Sequence, residues 1–331
     1  MGGIWTDREQ LQEFLIELVG TKLGLAISNR DVEPALDDTL GTAPPGALRV
    51  RSEQIEQLSY ACLQRFGDPD AGHVRSSPTI SLAVLHSYAY FPATSQVMAH
   101  VISRMGQLLD EQSATALDPT VLLMEVETRW GGTGVEIALR VLQELNARVV
   151  VSPWSRAVRT EYPSREALRN LFESRELPLP LELFFDQRFV DYLDANGNDI
   201  REMHWRQFEG LVAEALARTG MRVELGPGSN DDGIDVRAWA PGQGEDAPAL
   251  VLVQCKREQR RVGRVVVKAM AADVAFEGAQ VGLVATTSSW SPAARETVYT
   301  RKYPIAEVNG QRIHEWLAAM RTPGAGPWLA N

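Results

Sequence analysis

Cysteine is almost missing from this chain: Cys62 and Cys255 are the two in 331 residues. They stand far apart and without metal-ligand spacing, which excludes a disulfide framework and a thiolate zinc site. A reducing compartment follows, and the cytoplasm is the expected location. No apolar run approaches the ~20 residues needed to cross a bilayer, so no membrane partner is expected. The N-terminus MGGIWTDREQ lacks the basic-then-apolar order of a signal peptide. Gly2 with Thr6 matches a loose lipidation pattern, and an unmodified N-terminus is the preferred reading. Internal repeats and low-complexity tracts are also lacking. What is present is an ordinary globular composition, 44% apolar and 23% charged, in a chain long enough for about two domains.

Charge divides the chain. Residues 201–331 carry 16 Lys+Arg against 15 Asp+Glu, whereas residues 1–200 carry 17 against 28. The first part therefore has a net charge of −11 and the second +1. An acidic body repels a phosphate backbone, so contact with nucleic acid is expected from the C-terminal part alone.

In the first part, Thr6 with Glu9 forms a capping box before the apolar stripe Leu11, Phe14, Leu15, Leu18. A loop is expected over 30–48, a helix opening at Ser52, a loop over 68–78 and a helix over 94–109, while 79–90 is ambiguous. TVLLMEVETRW reads as a strand, VEIALRVLQEL as an amphipathic helix and ARVVVSPW as a strand, a β-α-β pattern implying an α/β or α+β domain. GGTG (131–134) then falls between strand and helix, as a flexible loop or an anion site, but without the Lys-Ser/Thr of a P-loop. DYLDANGNDI has Asp194, Asn196 and Asn198 at alternating positions, yet Asp199 replaces the required glycine and Trp205 the final glutamate of a calcium loop. It reads as an Asx/Gly turn at a domain boundary, giving domains 1–198 and 199–331.

The second part is regular. A helix from about 203 ends at Thr219-Gly220; MRVEL, IDVRAWA and LVLVQCK are strands. The last is a nearly continuous apolar run, which places it mid-sheet. Pro241 and Pro248 bracket the intervening loop symmetrically, setting Ala240 opposite Ala249, Arg237 opposite Leu252 and Asp235 opposite Gln254. With a side-chain period of two, Asp235, Gln254 and Lys256 share one face and Cys255 points away as a packed thiol. Lys256, Arg257, Arg260, Arg261, Arg264 and Lys268 then place six cations in thirteen residues. A carboxylate, an amide and an amine beside a cationic bank is what phosphodiester cleavage needs; a structural Asp–Lys ion pair is the plainer alternative. Trp239 and His204 are read as packing and capping residues.

FEGLVAEALARTGMRVELGPGSNDDGIDV, VQCKR, TTSSWSPAARE and EVNGQRIHEWL, in that order over about residues 203–320, resemble the catalytic domain of the Mrr-like restriction endonucleases, in the PD-(D/E)xK nuclease superfamily. The resemblance implies an α/β/α sandwich with a mixed sheet. It implies a metal-binding Asp235, Gln254 at the second ligand position, a catalytic Lys256, and Glu209 completing the metal site. Asp231 matches the first Asp of an Asp-x-Gly-x-Asp segment, or organises the loop as an Asx residue. Mg²⁺, with Mn²⁺ as a substitute, is the implied cofactor. An amide where relatives carry a carboxylate implies weak metal binding until DNA phosphate completes the site. Arg257, Arg260, Arg261, Arg264 and Lys268 are the expected DNA-phosphate contacts. The implied activity is DNA endonucleolysis in restriction or antiviral defence, at least dimeric when active. The acidic domain would regulate, oligomerise or bind a protein partner. An idle nuclease fold that binds nucleic acid within a larger complex, or a ribonuclease, is the alternative.

Overall fold

A computed structural model describes residues 3–41, 46–76, 79–111, 118–177, 183–228, 233–244 and 247–321. The chain forms two compact units, which meet in sequence at Glu166 and Ala167. The family-like segment opens near residue 200, so the second unit also takes in the helical residues that precede it.

The first unit is mainly helical, with an antiparallel ribbon of Gly3–Thr6 and Leu48–Arg51. Helix Arg8–Leu23 starts one residue later than the capping box proposes: Asp7 is the N-cap, its carboxylate accepting the Gln10 N–H at 2.9 Å. Asp7→Ala is expected to lower stability by about 1 kcal/mol in thermal unfolding, with Thr6→Ala nearly neutral. The expected loop over 30–48 contains helix Asn29–Leu40, begun by a Ser28–Asp31 capping box and buried through Val32, Ala35 and Leu36. The expected loop over 68–78 contains helix Pro69–Ser76, and 79–90 holds helix Ile80–Ser87.

The β-α-β reading of 120–154 is corrected. Thr120–Val151 is helical, broken at Gly131, whose φ of 69° and ψ of −166° lie outside the helical region. Positive φ is open to glycine without a Cβ penalty, so the GGTG stretch is a kink within a helix. Leu122, Val126, Ile137, Ala138, Val141 and Leu142 are buried at helical spacing, in one core with Val97, Val101 and Met105 of helix Thr94–Glu111. Tertiary burial overrides the β propensity of the Val-rich ends.

The second unit carries a five-stranded mixed sheet, in order β1 (Arg222–Leu225), β2 (Val236–Trp239), β3 (Val251–Lys256), β4 (Val281–Thr286), β5 (Ile305–Val308). The first three run antiparallel and the last three parallel. Its helices are α1 (Gln187–Ala195), α2 (Trp205–Ala217), α3 (Arg264–Glu277), α4 (Pro292–Arg301) and α5 (Gly310–Met320). Helix α2 packs on β1–β3 and α5; α3 packs on β4, β5 and α4. This is an α/β/α sandwich, and β3 is its central strand, as the unbroken apolar run requires. The hairpin register matches expectation: Val236 pairs with Val253, Arg237 with Leu252, and Ala238 with Val251.

Several local readings are physically explained. Trp239 is buried, donates its indole N–H to Ala247 O at 2.9 Å and carries the Arg222 guanidinium 3.9 Å above its ring. That is core packing, not a base platform. His204 is the α2 N-cap, its Nδ1 accepting the Arg206 N–H at 3.2 Å. The DYLDANGNDI segment closes α1 and continues as a 3-10 turn, with Asp194 paired to Arg321 and Asp199 accepting from the Tyr192 hydroxyl at 2.6 Å. These carboxylates are already engaged in structure.

Candidate active site

Parallel strands β3, β4 and β5 present their carboxyl ends together, the usual location of ligand sites in α/β sheets. Lys256 is the last residue of β3 and pairs with Thr286, the last of β4. Gln254 and Lys256 are both half-buried. By strand alternation they share a face with Leu252, which packs under α3.

Asp235 sits one residue before β2, where the chain peels away from the ladder. Its N–H donates to Val253 O at 2.9 Å, and its Oδ2 accepts the Cys255 N–H at 2.6 Å. A side-chain carboxylate thus takes over the acceptor role of a strand carbonyl, pinning Asp235 against β3 between Gln254 and Lys256. Gly233 makes room for this: its φ is 86°, and a Cβ there would stand 3.0 Å from Gln254 Nε2. Asp231 lies outside the described residues.

Glu209 reaches the same point from α2. It is 5% exposed, and Arg206 one turn earlier holds it by an ion pair of 2.9 Å. Burial pushes its carboxyl up to about 7; the Arg206 hydrogen bond opposes this, while the charge of Asp235 and a hydrogen bond to it push the same way. Glu209 and Asp235 therefore form a carboxyl–carboxylate pair, two acids close enough that sharing a proton is easier than ionising both. Cys255 is half-buried, and its thiol is raised well above the usual range by burial, then by Asp235 and Glu209, so it is no nucleophile.

Beyond Lys256 the chain forms an exposed bank. Arg257, Arg260, Arg261, Arg264 and Lys268 are all exposed, and bonds at Arg257, Arg260 and Val262 tie the segment down. Val262 N–H donates to Ser289 O at 3.0 Å, Ser288 Oγ to Arg260 O at 2.8 Å, and the Arg257 guanidinium to Arg201 O at 2.9 Å. Helix α3 begins within this bank, at Arg264.

Of the sequence-derived residues, Glu209 and Asp235 meet, and Asp235 bonds the Cys255 N–H between Gln254 and Lys256 at the end of β3, after which the cations follow in the chain. Among the described residues no group of three or more His, Cys, Asp and Glu is arranged to hold a metal. The set here has two carboxylates and one amide, all oxygen donors, and oxygen donors suit a hard divalent cation. Two carboxyls pressed together under burial, with one guanidinium between them and neutrality, fit such an ion.

Residues 200–317 match the family model of the Mrr catalytic domain, a restriction endonuclease. This segment of the chain is a restriction-endonuclease-type domain. A search of solved structures gives the MspJI restriction endonuclease in complex with a 27-mer oligonucleotide, at 22% identity and a TM-score of 0.27. That match covers 42% of this chain and 31% of that one, so the chain spans about a third of its length. No curated protein matches.

The family resemblance had set Glu209 beside Asp235 in one metal site, whereas periodicity alone gave no sign of their contact, which depends on how α2 seats on the sheet. Sequence reasoning missed Arg206, whose i, i+3 spacing to Glu209 was the available signal.

Proposed function

We propose that the restriction-endonuclease-type domain is a divalent-metal-dependent DNA endonuclease. The observation that carries this reading is the buried Glu209–Asp235 acid pair at the sheet end that also bears Gln254 and Lys256. Mg²⁺, or Mn²⁺ in its place, would be held by Asp235, the Gln254 carbonyl and Glu209, and when bound would polarise the phosphate and acidify a water. Asp235 is oriented by the Cys255 N–H, so its carboxylate is placed before substrate arrives. Lys256 orients the attacking water and, as an ammonium, stabilises the extra negative charge on the phosphoryl oxygens. Water adds to phosphorus, one P–O bond breaks, and the leaving oxygen takes up a proton. Arg206 holds Glu209 in place and offsets part of its charge.

The exposed bank from Arg257 to Lys268 supplies phosphate contacts. Arg261→Ala is expected to weaken binding to all duplexes alike and to reduce the slope of log affinity against log salt by about 1. A filter-binding or anisotropy titration across salt reads this; an unchanged slope removes Arg261 from the DNA-binding surface.

Residues 1–198 we assign to regulation, oligomerisation or binding of a protein partner, supported by their net charge of −10, which does not suit a DNA reader. A restriction or antiviral-defence role accompanies the nuclease reading. The deciding experiment is cleavage of supercoiled plasmid, methylated and unmethylated, with and without Mg²⁺ or Mn²⁺. Metal-dependent nicking or linearisation supports the proposal. Binding without cleavage under every condition would move the assignment to an idle nuclease fold, and cleavage confined to RNA to a ribonuclease.

A further inference from the structure

Arg257 is held apart from the cations that follow it. Its guanidinium is tied back to Arg201 O, at the end of the 3-10 turn that precedes α2. Arg260 O and the Val262 N–H are instead bonded to Ser288 and Ser289, beyond the end of β4. The chain leaving Lys256 therefore presents one cation towards α2 and the rest towards the β4 side of the sheet.

Two further groups meet Arg257 there. His204, the N-cap of α2, uses its Nδ1 to accept the Arg206 N–H. Burial, then the charges of Arg175 and Arg257, hold its pKa below the usual histidine range. The ring is therefore neutral at neutral pH, with its proton on Nε2 as a hydrogen-bond donor. That donor has no partner among the described residues. Arg175 is exposed, yet its backbone is set against α2: Gln207, buried in the first turn, donates its Nε2 to the carbonyls of Ser174 and Glu176 on either side of it. The charges acting on His204 are these two arginines, although Glu173, Glu176 and Glu202 are exposed on the same segments. Arg175 precedes the residues 200–317 that match the family model, and the compact unit starting at Ala167 places it with the nuclease sheet.

We propose that Arg175, His204 and Arg257 form a subsite for one backbone phosphate of the DNA strand, flanking the scissile phosphate and separate from the bank at Arg260 to Lys268. Two guanidiniums take the charged oxygens, and the neutral imidazole between them adds a directed hydrogen bond. His204 lies five positions before Glu209, about 7.5 Å along the α2 axis, and Arg257 follows Lys256 directly. That offset is about the rise of two nucleotides in a strand. A strand gripped here and at the bank is held on both sides of Lys256, which fixes the scissile phosphate against the attacking water. The choice of DNA as ligand rests on the nuclease reading; the test below needs binding alone.

The full chain is titrated against a short labelled duplex by anisotropy, with a chelator present and across salt. Arg175→Ala is expected to weaken binding about five- to ten-fold and to reduce the slope of log affinity against log salt by about 1. Arg175→Lys keeps the charge and is expected to restore the slope, which separates lost charge from a disturbed segment. His204→Ser keeps an N-cap acceptor and is expected to weaken binding about three-fold at unchanged slope, because a neutral donor releases no counterion. Arg175→Ala combined with Arg257→Ala is expected to lose less than the product of the two single losses, since both hold one phosphate. Arg175→Ala combined with Arg261→Ala is expected to give the full product. An unchanged slope in Arg175→Ala, a changed slope in His204→Ser, or simple multiplication of Arg175→Ala with Arg257→Ala overturns the subsite. A wild type that binds duplex and never cuts it overturns the nuclease reading and leaves the subsite standing. A wild type that binds no duplex overturns both.

Discussion

Lys256→Ala and Asp235→Asn are each expected to reduce plasmid cleavage on the order of 10³-fold while leaving the fold intact. The two act at different steps of the same chemistry. Lys256 supplies a positive charge at the phosphoryl oxygens, and alanine leaves nothing in its place at the end of β3. Asparagine at 235 preserves shape and an oxygen that can still accept the Cys255 N–H, which is 2.6 Å from Asp235 Oδ2. Its effect is therefore loss of charge toward the cation. DNA binding measured by anisotropy should change far less than cleavage, because the exposed bank beyond Lys256 is untouched. Thermal melts of both variants control for folding. Cleavage that survives both substitutions would place the chemistry elsewhere in the chain, and loss of binding in step with cleavage would make Lys256 a phosphate anchor.

The sheet of the second unit was readable because its signals are local and mutually consistent. A continuous apolar run must be a central strand, and β3 is one. Two prolines placed symmetrically about a polar loop fix a hairpin register, and all three paired positions of β2 and β3 follow it. The same register sets Asp235 beside the end of β3, where its carboxylate bonds the Cys255 N–H next to Lys256.

The first unit resisted the same reasoning for identifiable reasons. Helix Asn29–Leu40 hides behind a polar sequence and an internal Pro34, and its buried face is three small or medium residues. In Thr120–Val151, valine-rich ends and a glycine pair imitate strand, loop and strand, although burial at helical spacing decides for a kinked helix. Periodicity over short apolar runs does not separate these two outcomes; packing does. The Glu209–Asp235 pair is hidden from periodicity in the same way, and only the family resemblance had set both acids in one site. Its members are 26 positions apart in the sequence and meet through the docking of α2, a tertiary contact that no local pattern encodes.

That pair sets the second large expectation: Glu209→Gln should lose activity about 10²-fold and yet be more stable than wild type at pH 8 by about 2–3 kcal/mol. The folded-state value of Glu209 is raised from 4.5 to about 7, chiefly by burial. Between those two values the folded protein binds a proton that the unfolded chain has released, so stability falls as pH rises through this window and levels off above it. Glutamine keeps the shape and has no proton to lose. The stability gap should therefore be small at pH 5, grow through pH 7 and stay constant beyond, in melts run with a chelator. Loss of the Arg206 ion pair works in the opposite direction and keeps the gain below the full linkage value. A gap independent of pH would mean that Arg206 alone sets the Glu209 charge and that Asp235 does not share its proton. Adding Mg²⁺ extends the test, because a cation held by Glu209 favours its ionised form: wild type should gain stability and Glu209→Gln should gain less, narrowing the gap. Ground-state destabilisation of this kind is what a site built to receive a cation stores when the cation's place is lined by two buried acids and one guanidinium.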